Sequence, residues 1–293
     1  MQTLLLALLL AAILSLLSPA LQAHMHRLLL HQPVWLRIVP LLLTAVFAVA
    51  AALAGACSFP LVVMLFTYTA APTLCIVAAG PGPASQPSYW DFAAILLLWL
   101  PVEFNAGARL VPLSARGYLH SVAYAIAILL GLTLLRGFRA YRGMKFNLPR
   151  SPRDGWLPLA GFAACAPLLV VAGIAIGFIP WPHLPVRSAG AMAAAVPLIF
   201  FATALPEEIL FRSLIQNLLT LRFGSGWRTL AAASLIFGAA HLDNGPQPQP
   251  NWRYFIVATI AGVAYGQVFR KASSVMSSAT LHMMVDWTKH FFF

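Results

Sequence analysis

The chain has 293 residues, of which 61% are hydrophobic and only 9% charged, and its mean hydropathy is +0.84. Soluble domains hold roughly 45–50% apolar and about 25% charged residues, so a water-soluble fold of this size is excluded and lipid is the expected solvent for most of the chain. The formal net charge of +11 sits between apolar runs rather than in a binding stripe, which argues against a nucleic-acid partner and for the lipid bilayer as the main one.

A membrane-crossing helix needs about 20 mostly apolar residues. In chain order, such runs cover 3–23, 38–56, 61–79, 118–135, 156–179 and 189–205, with shorter or more polar ones at 92–104, 230–242, 254–269 and 273–287. The runs are continuous and lack the short alternation of a membrane barrel. The expected fold is therefore all-α: a polytopic transmembrane helix bundle of about 8–10 spans. The first run has no basic residue ahead of it and is long, so it reads as a retained span rather than a cleaved leader. Proline and glycine mark loops at 80–87, 149–155, 180–185 and 245–250.

The densest basic cluster is Arg136, Arg139, Arg142, Lys145, Arg150 and Arg153, with Asp154 beside it. The positive-inside rule makes this loop cytoplasmic. Arg27 and Arg37, Arg222 and Arg228, and Arg270 and Lys271 are an even number of candidate spans away and fall on the same side. Cys57, His183 and Gly245 then fall outside, while Arg109 and Arg116 fit poorly. Anionic lipid is a further expected contact of the loop. Three regions follow: 1–135, membrane helices of no assigned function; 136–155, the basic cytoplasmic loop; and 156–293, which holds the unusual chemistry. Arginine far outnumbers lysine and alanine is abundant, which points to a bacterial inner membrane. Cys57, Cys75 and Cys165 lie at no metal-ligand spacing and read as small buried hydrophobes.

Only seven residues are acidic, and Glu207, Glu208 and Asp286 lie in strongly apolar surroundings. An ionisable group at mid-bilayer costs about 2.5–3.5 kcal/mol even on the lenient insertion scale, so such residues face the bundle interior and mark function. Glu208 and Arg212, four apart, share a helix face with the glutamate on the favourable N-terminal side. Glu207 points about 100° away, and Pro206 either kinks the helix or starts a new one. Phe237 and His241 form a second i,i+4 stripe, with small residues between them that allow close helix approach. His282 and Asp286 form a third on the last helix. Packed together, the three stripes bring Glu207, Glu208, Arg212, Phe237, His241, His282 and Asp286 into one buried pocket. Glu103, also in an apolar run, has Arg109 as its candidate partner.

The order Glu-Glu-x-x-x-Arg, Phe-x-x-x-His, His-x-x-x-Asp, present as EEILFR, FGAAH and HMMVD, resembles that of the CAAX protease and bacteriocin-processing (CPBP, or ABI) intramembrane glutamic endopeptidases. The resemblance spans roughly residues 189–289. It implies a metal-independent hydrolase without cofactor, acting on a membrane-associated protein or peptide. By position it implies that Glu207 and His241 activate water, that Glu208 and Arg212 orient the site, and that His282 and Asp286 serve the oxyanion. Asp286 fits that last role less easily than asparagine, because an ionised carboxylate only accepts hydrogen bonds. Two other readings stay open. One is a zinc-dependent membrane protease, since two histidines with acidic neighbours can bind zinc, although no His-Glu-x-x-His is present. The other is a non-catalytic binding or immunity protein, or a proton-coupled transporter, although duplicated halves are missing.

Overall fold

The computed structural model describes residues 1–82, 85–104, 106, 117–245 and 248–293. Among them every regular element is helical, so the all-α class holds. The chain divides into two compact units, Met1–Met144 and Lys145–Phe293.

The first unit contains α1 (Gln2–Ser15), α2 (Pro19–His31), α3 (Trp35–Leu53), α4 (Phe59–Ala79), α5 (Tyr89–Glu103) and α6 (Tyr118–Phe138). The first apolar run is not one straight span: α1 and α2 meet at 89°. Pro19, at the first position of α2, has no N–H to continue the ladder of α1, and Ser18 caps α2 by accepting from the Leu21 N–H. The core of this unit gathers Leu9, Phe47, Leu61, Leu65, Val122 and Ile126. A deep polar feature of this unit is an ion pair. Arg139 donates from Nε to Asp91 Oδ1 at 2.8 Å and from Nη2 to Oδ2 at 3.0 Å, while Nη1 serves the Ala79 and Gly80 carbonyls at the end of α4. The Tyr141 hydroxyl donates to the same carboxylate at 2.9 Å. This bidentate fork ties the end of α4 to the start of α5.

The second unit contains α7 (Arg153–Ala175), α8 (Ala189–Phe223), α9 (Trp227–Ala239), α10 (Trp252–Lys271) and α11 (Val275–Phe292). Two polar hubs fix its helix ends. Lys145 Nζ donates to the Phe269, Arg270 and Ala272 carbonyls at 2.7, 3.0 and 2.8 Å, satisfying orphan acceptors at the end of α10. Burial pulls the Lys145 ammonium below its usual pKa range, and the Asp154 carboxylate opposes that shift. Asp154, at the start of α7, accepts from the backbone N–H groups of Arg150, Ser151 and Ser273 at 2.9, 3.0 and 2.7 Å, and from the Ser273 hydroxyl. It thereby joins the beginnings of α7 and α11. Within the basic stretch, then, Arg139 and Lys145 are engaged in internal bonds, and Arg136–Phe138 and Arg153–Asp154 belong to helices.

Close packing of α9 on α10 rests on glycine. A side chain on Gly238 would run into Thr259 Oγ1 and lie 2.8 Å from the Phe255 carbonyl, and one on Gly266 would lie 2.5 Å from Leu230 Cδ1. Gly262 and Gly266 are four apart on α10, a small-xxx-small stripe that lets membrane helices approach.

Among the described residues, five helices are long and apolar enough to cross a membrane, or six if the bent α1–α2 pair counts as one span, against the 8–10 expected. The difference has a physical cause. α5 and α9 are only 15 and 13 residues long, while α10 and α11 dilute their apolar runs with Arg253, Arg270, Lys271, Asp286 and Lys289. Of the cysteines, Cys165 is buried and Cys75 partly so, but Cys57 is exposed in the α3–α4 loop, so the expectation of burial fails there. Arg109 and Arg116 lie outside the described residues. Glu103 accepts from Trp99 Nε1 at 2.9 Å.

Candidate active site

The site grows from an irregular stretch of α8. The helix runs unbroken through Pro206, but π-type turns at Phe200–Ala204 and Ile209–Gln216 flank the short α-helical piece Leu205–Glu208. Pro206 therefore neither starts a helix nor ends one. The backbone groups it leaves without partners fall between wider turns, an arrangement frequent at functional sites.

Glu208 and Arg212 form the expected i,i+4 pair, with Arg212 Nε donating to Oε2 at 3.1 Å and both side chains fully buried. The guanidinium lies over the Phe237 ring, 4.8 Å from its centre. The other oxygen of Glu208, Oε1, is 3.2 Å from His282 Nδ1. On its far side, His282 Nε2 lies 3.4 Å from Asp286 Oδ2 and 3.9 Å from Glu207 Oε2. Both ring nitrogens face carboxylate acceptors, an environment that suits two N–H donors. The burial pattern separates the acids by position: Glu208 is inaccessible, whereas the Glu207 and Asp286 side chains keep 25% and 31% of their surface exposed. One carboxylate is locked beneath the histidine and two belong to partly exposed side chains, although the Glu207 Oε2 that faces His282 is itself buried.

His241 lies just past the end of α9, not within it. Its backbone N–H turns to the Gly238 carbonyl, which leaves the Phe237 carbonyl without its helical donor. The ring supplies one, with Nδ1 2.8 Å from that oxygen. A ring that donates from Nδ1 keeps Nε2 as the acceptor. Two histidines thus present opposite faces: His282 offers N–H groups and His241 a lone pair.

Phe237 is the hub between them. Its ring contacts His241 at 4.8 Å, His282 at 5.8 Å, Phe211 at 5.0 Å and Tyr265 at 5.9 Å, centre to centre. Direct contacts therefore connect Glu207, Glu208, Arg212, Phe237, His282 and Asp286, and Phe237 brings in His241. Two tyrosines escaped the sequence reading. Tyr265 stacks on His282 at 4.6 Å, and Tyr254 packs edge-on against His241 at 4.5 Å. Tyr265 carried a faint signal, as an aromatic residue enclosed in Gly262-Val-Ala-Tyr-Gly266; Tyr254 carried none. Among the described residues, no three His, Cys, Asp or Glu side chains form a group that could hold a metal ion.

No curated protein and no solved structure matches the chain. A family model does: residues 189–288 match the type II CAAX prenyl endopeptidase Rce1-like family. That segment runs from the first residue of α8 nearly to the end of α11 and contains all seven residues of the three stripes. Residues 189–288 are thus similar to the Rce1-like domain of the CAAX prenyl endopeptidase (CPBP) family, a family of hydrolases.

Proposed function

We propose that the protein is an intramembrane, metal-independent glutamic endopeptidase that hydrolyses a peptide bond of a membrane-associated or lipidated protein or peptide. The observation that carries this reading is the division among the carboxylates around His282: Glu208, buried and paired with Arg212, holds the ring from below, while the Glu207 and Asp286 side chains stay partly exposed.

In this reading Glu207 and the Nε2 lone pair of His241 hold a water and take its proton as it attacks the scissile carbonyl. A general base of this kind contributes about 10²–10⁴-fold. Negative charge then develops on the carbonyl oxygen, and an N–H donor fixed beforehand stabilises it. His282 Nε2 is that donor. Asp286, 3.4 Å from the same nitrogen, favours the protonated ring and aims it rather than donating itself, so its inability to donate is no obstacle. The proton returns to the leaving amine through Glu207 or His241. The family's description adds a substrate class, because a CAAX box lies at the very C-terminus of its protein and the cut bond is then near a chain end.

The test is cleavage of a broad peptide and prenyl-peptide library by the purified protein in liposomes, with Glu207→Ala and His241→Ala alongside and a strong chelator added in parallel. Cleavage lost in both variants and kept with chelator is the expected result. Cleavage abolished by chelator and restored by zinc moves the site to the metal class. Equal cleavage by all three proteins removes the assigned pair.

A further inference from the structure

The rim of the site on the His241 side carries two cations that water activation does not use. Lys289 is seven residues beyond His282 on α11, and its ammonium lies 4.6 Å from the centre of the Phe178 ring and 4.5 Å from that of Tyr254. Arg253, the neighbour of Tyr254, donates from Nη1 to the Gly177 carbonyl at 3.2 Å. Both cations therefore lie against the one 177–178 turn. The Tyr254 ring that holds Lys289 also packs on His241. Two ring faces hold the ammonium in a fixed place by its charge, one aromatic ring away from the histidine that receives the water's proton.

The placement has a consequence for what can approach. The Glu207 and Asp286 side chains are partly exposed, so an anionic group near the reacting bond meets repulsion unless a cation offsets it. Lys289 and Arg253 are cations at one edge only, so they favour an anion arriving there. A peptide's own carboxylate fits: an arginine fork matches its geometry and a lysine adds a point charge. We propose that Lys289 and Arg253 clamp the C-terminal carboxylate of the substrate peptide and so set how far from the chain end the bond is cut. This rests on the peptidase reading above.

Binding separates the two ideas, because it needs no turnover. The full-length protein carrying Glu207→Gln is titrated with a mixed pool of N-terminally labelled apolar octapeptides in three forms: free acid, C-terminal amide, and amide with one internal aspartate. The free acid is expected to bind about tenfold or more tightly than the amide, as a charge-assisted contact gives. The ratio falls to about one when Lys289→Gln and Arg253→Gln are added, and Lys289→Arg retains it. Equal binding of acid and amide, absence of binding included, overturns the clamp, as does a preference that survives both glutamine substitutions. An aspartate-containing amide that binds as well as the acid overturns the assignment to the chain terminus. Loss of phosphatidylglycerol binding in Lys289→Gln, without peptide discrimination, gives the cations to lipid headgroups instead. A clear acid preference with no cleavage of any pool by the wild-type protein sinks the peptidase reading and leaves the clamp standing.

Discussion

Glu208 lies between the Arg212 guanidinium and the His282 ring with no accessible surface, while Glu207, one residue earlier, keeps a quarter of its side chain open. Identical chemistry in unlike surroundings gives unlike sensitivities. Arg212→Met strands a buried carboxylate, and removing one partner of such a pair costs about 3–5 kcal/mol. A marked fall in thermal unfolding temperature in detergent is expected. Glu207→Gln leaves the Glu208–Arg212 pair in place and touches only the longer 3.9 Å contact to His282, so unfolding is expected to stay close to wild type while peptide cleavage falls by about 10²-fold or more. Loss of both stability and cleavage in Glu207→Gln would mean that this residue too is structural. The pairing of Glu208 with Arg212 and the alignment of His282 with Asp286 were legible as spacings, since i,i+4 on a helix fixes neighbours. What spacing could not give is the crossing of helices: Tyr265 on His282, Tyr254 on His241, and His282 reaching back to Glu208, 74 residues earlier. Nor did spacing reveal that His241 leaves its helix and caps it through the Phe237 carbonyl.

At the scale of elements, glycine and proline carry the argument. Gly238 faces Thr259 and the Phe255 backbone directly, so any larger side chain drives α9 from α10 and displaces Phe237 and His241 with it. Gly238→Val is expected to destabilise by about 1–3 kcal/mol, the usual cost of overpacking, and to lower cleavage more than stability alone accounts for; unfolding and rate measured on one preparation check this. Asp154→Ala is expected to loosen the joined starts of α7 and α11, since the Ser151 and Ser273 backbone N–H groups and the Ser273 hydroxyl lose the carboxylate, while the Arg150 N–H keeps the Ser273 hydroxyl as an acceptor. A cost of about 1–3 kcal/mol for each donor left buried and unpaired is the scale, read as faster hydrogen exchange at Ser273. The sequence read Pro206 as a kink or a helix start, and both readings assumed ideal 3.6-residue turns. The wider turns on either side absorb it, which a residue count cannot foresee. The basic cluster was read as a topology signal, yet Arg139 and Lys145 hold helix ends together, because an arginine or lysine reaches carbonyls far away in sequence.

For the molecule as a whole, the all-α class followed from composition, but the number of spans did not, because hydropathy windows accept segments too short or too polar to cross alone. Orientation is testable through the cysteines. With the basic loop on the cytoplasmic side, Cys57 is expected to react with a membrane-impermeant maleimide only from the outer face of sealed vesicles, and buried Cys165 from neither. Labelling of Cys57 only from the cytoplasmic face would invert the topology. Of the helices that build the site, α8 is long and apolar, whereas α9 has 13 residues and α10 and α11 fall outside the set of long apolar helices. Each buried charge adds a few kcal/mol to the transfer of an isolated helix. The last three helices are therefore expected to enter the membrane together with α7 and α8 rather than one at a time, so that their insertion and the assembly of the candidate site coincide.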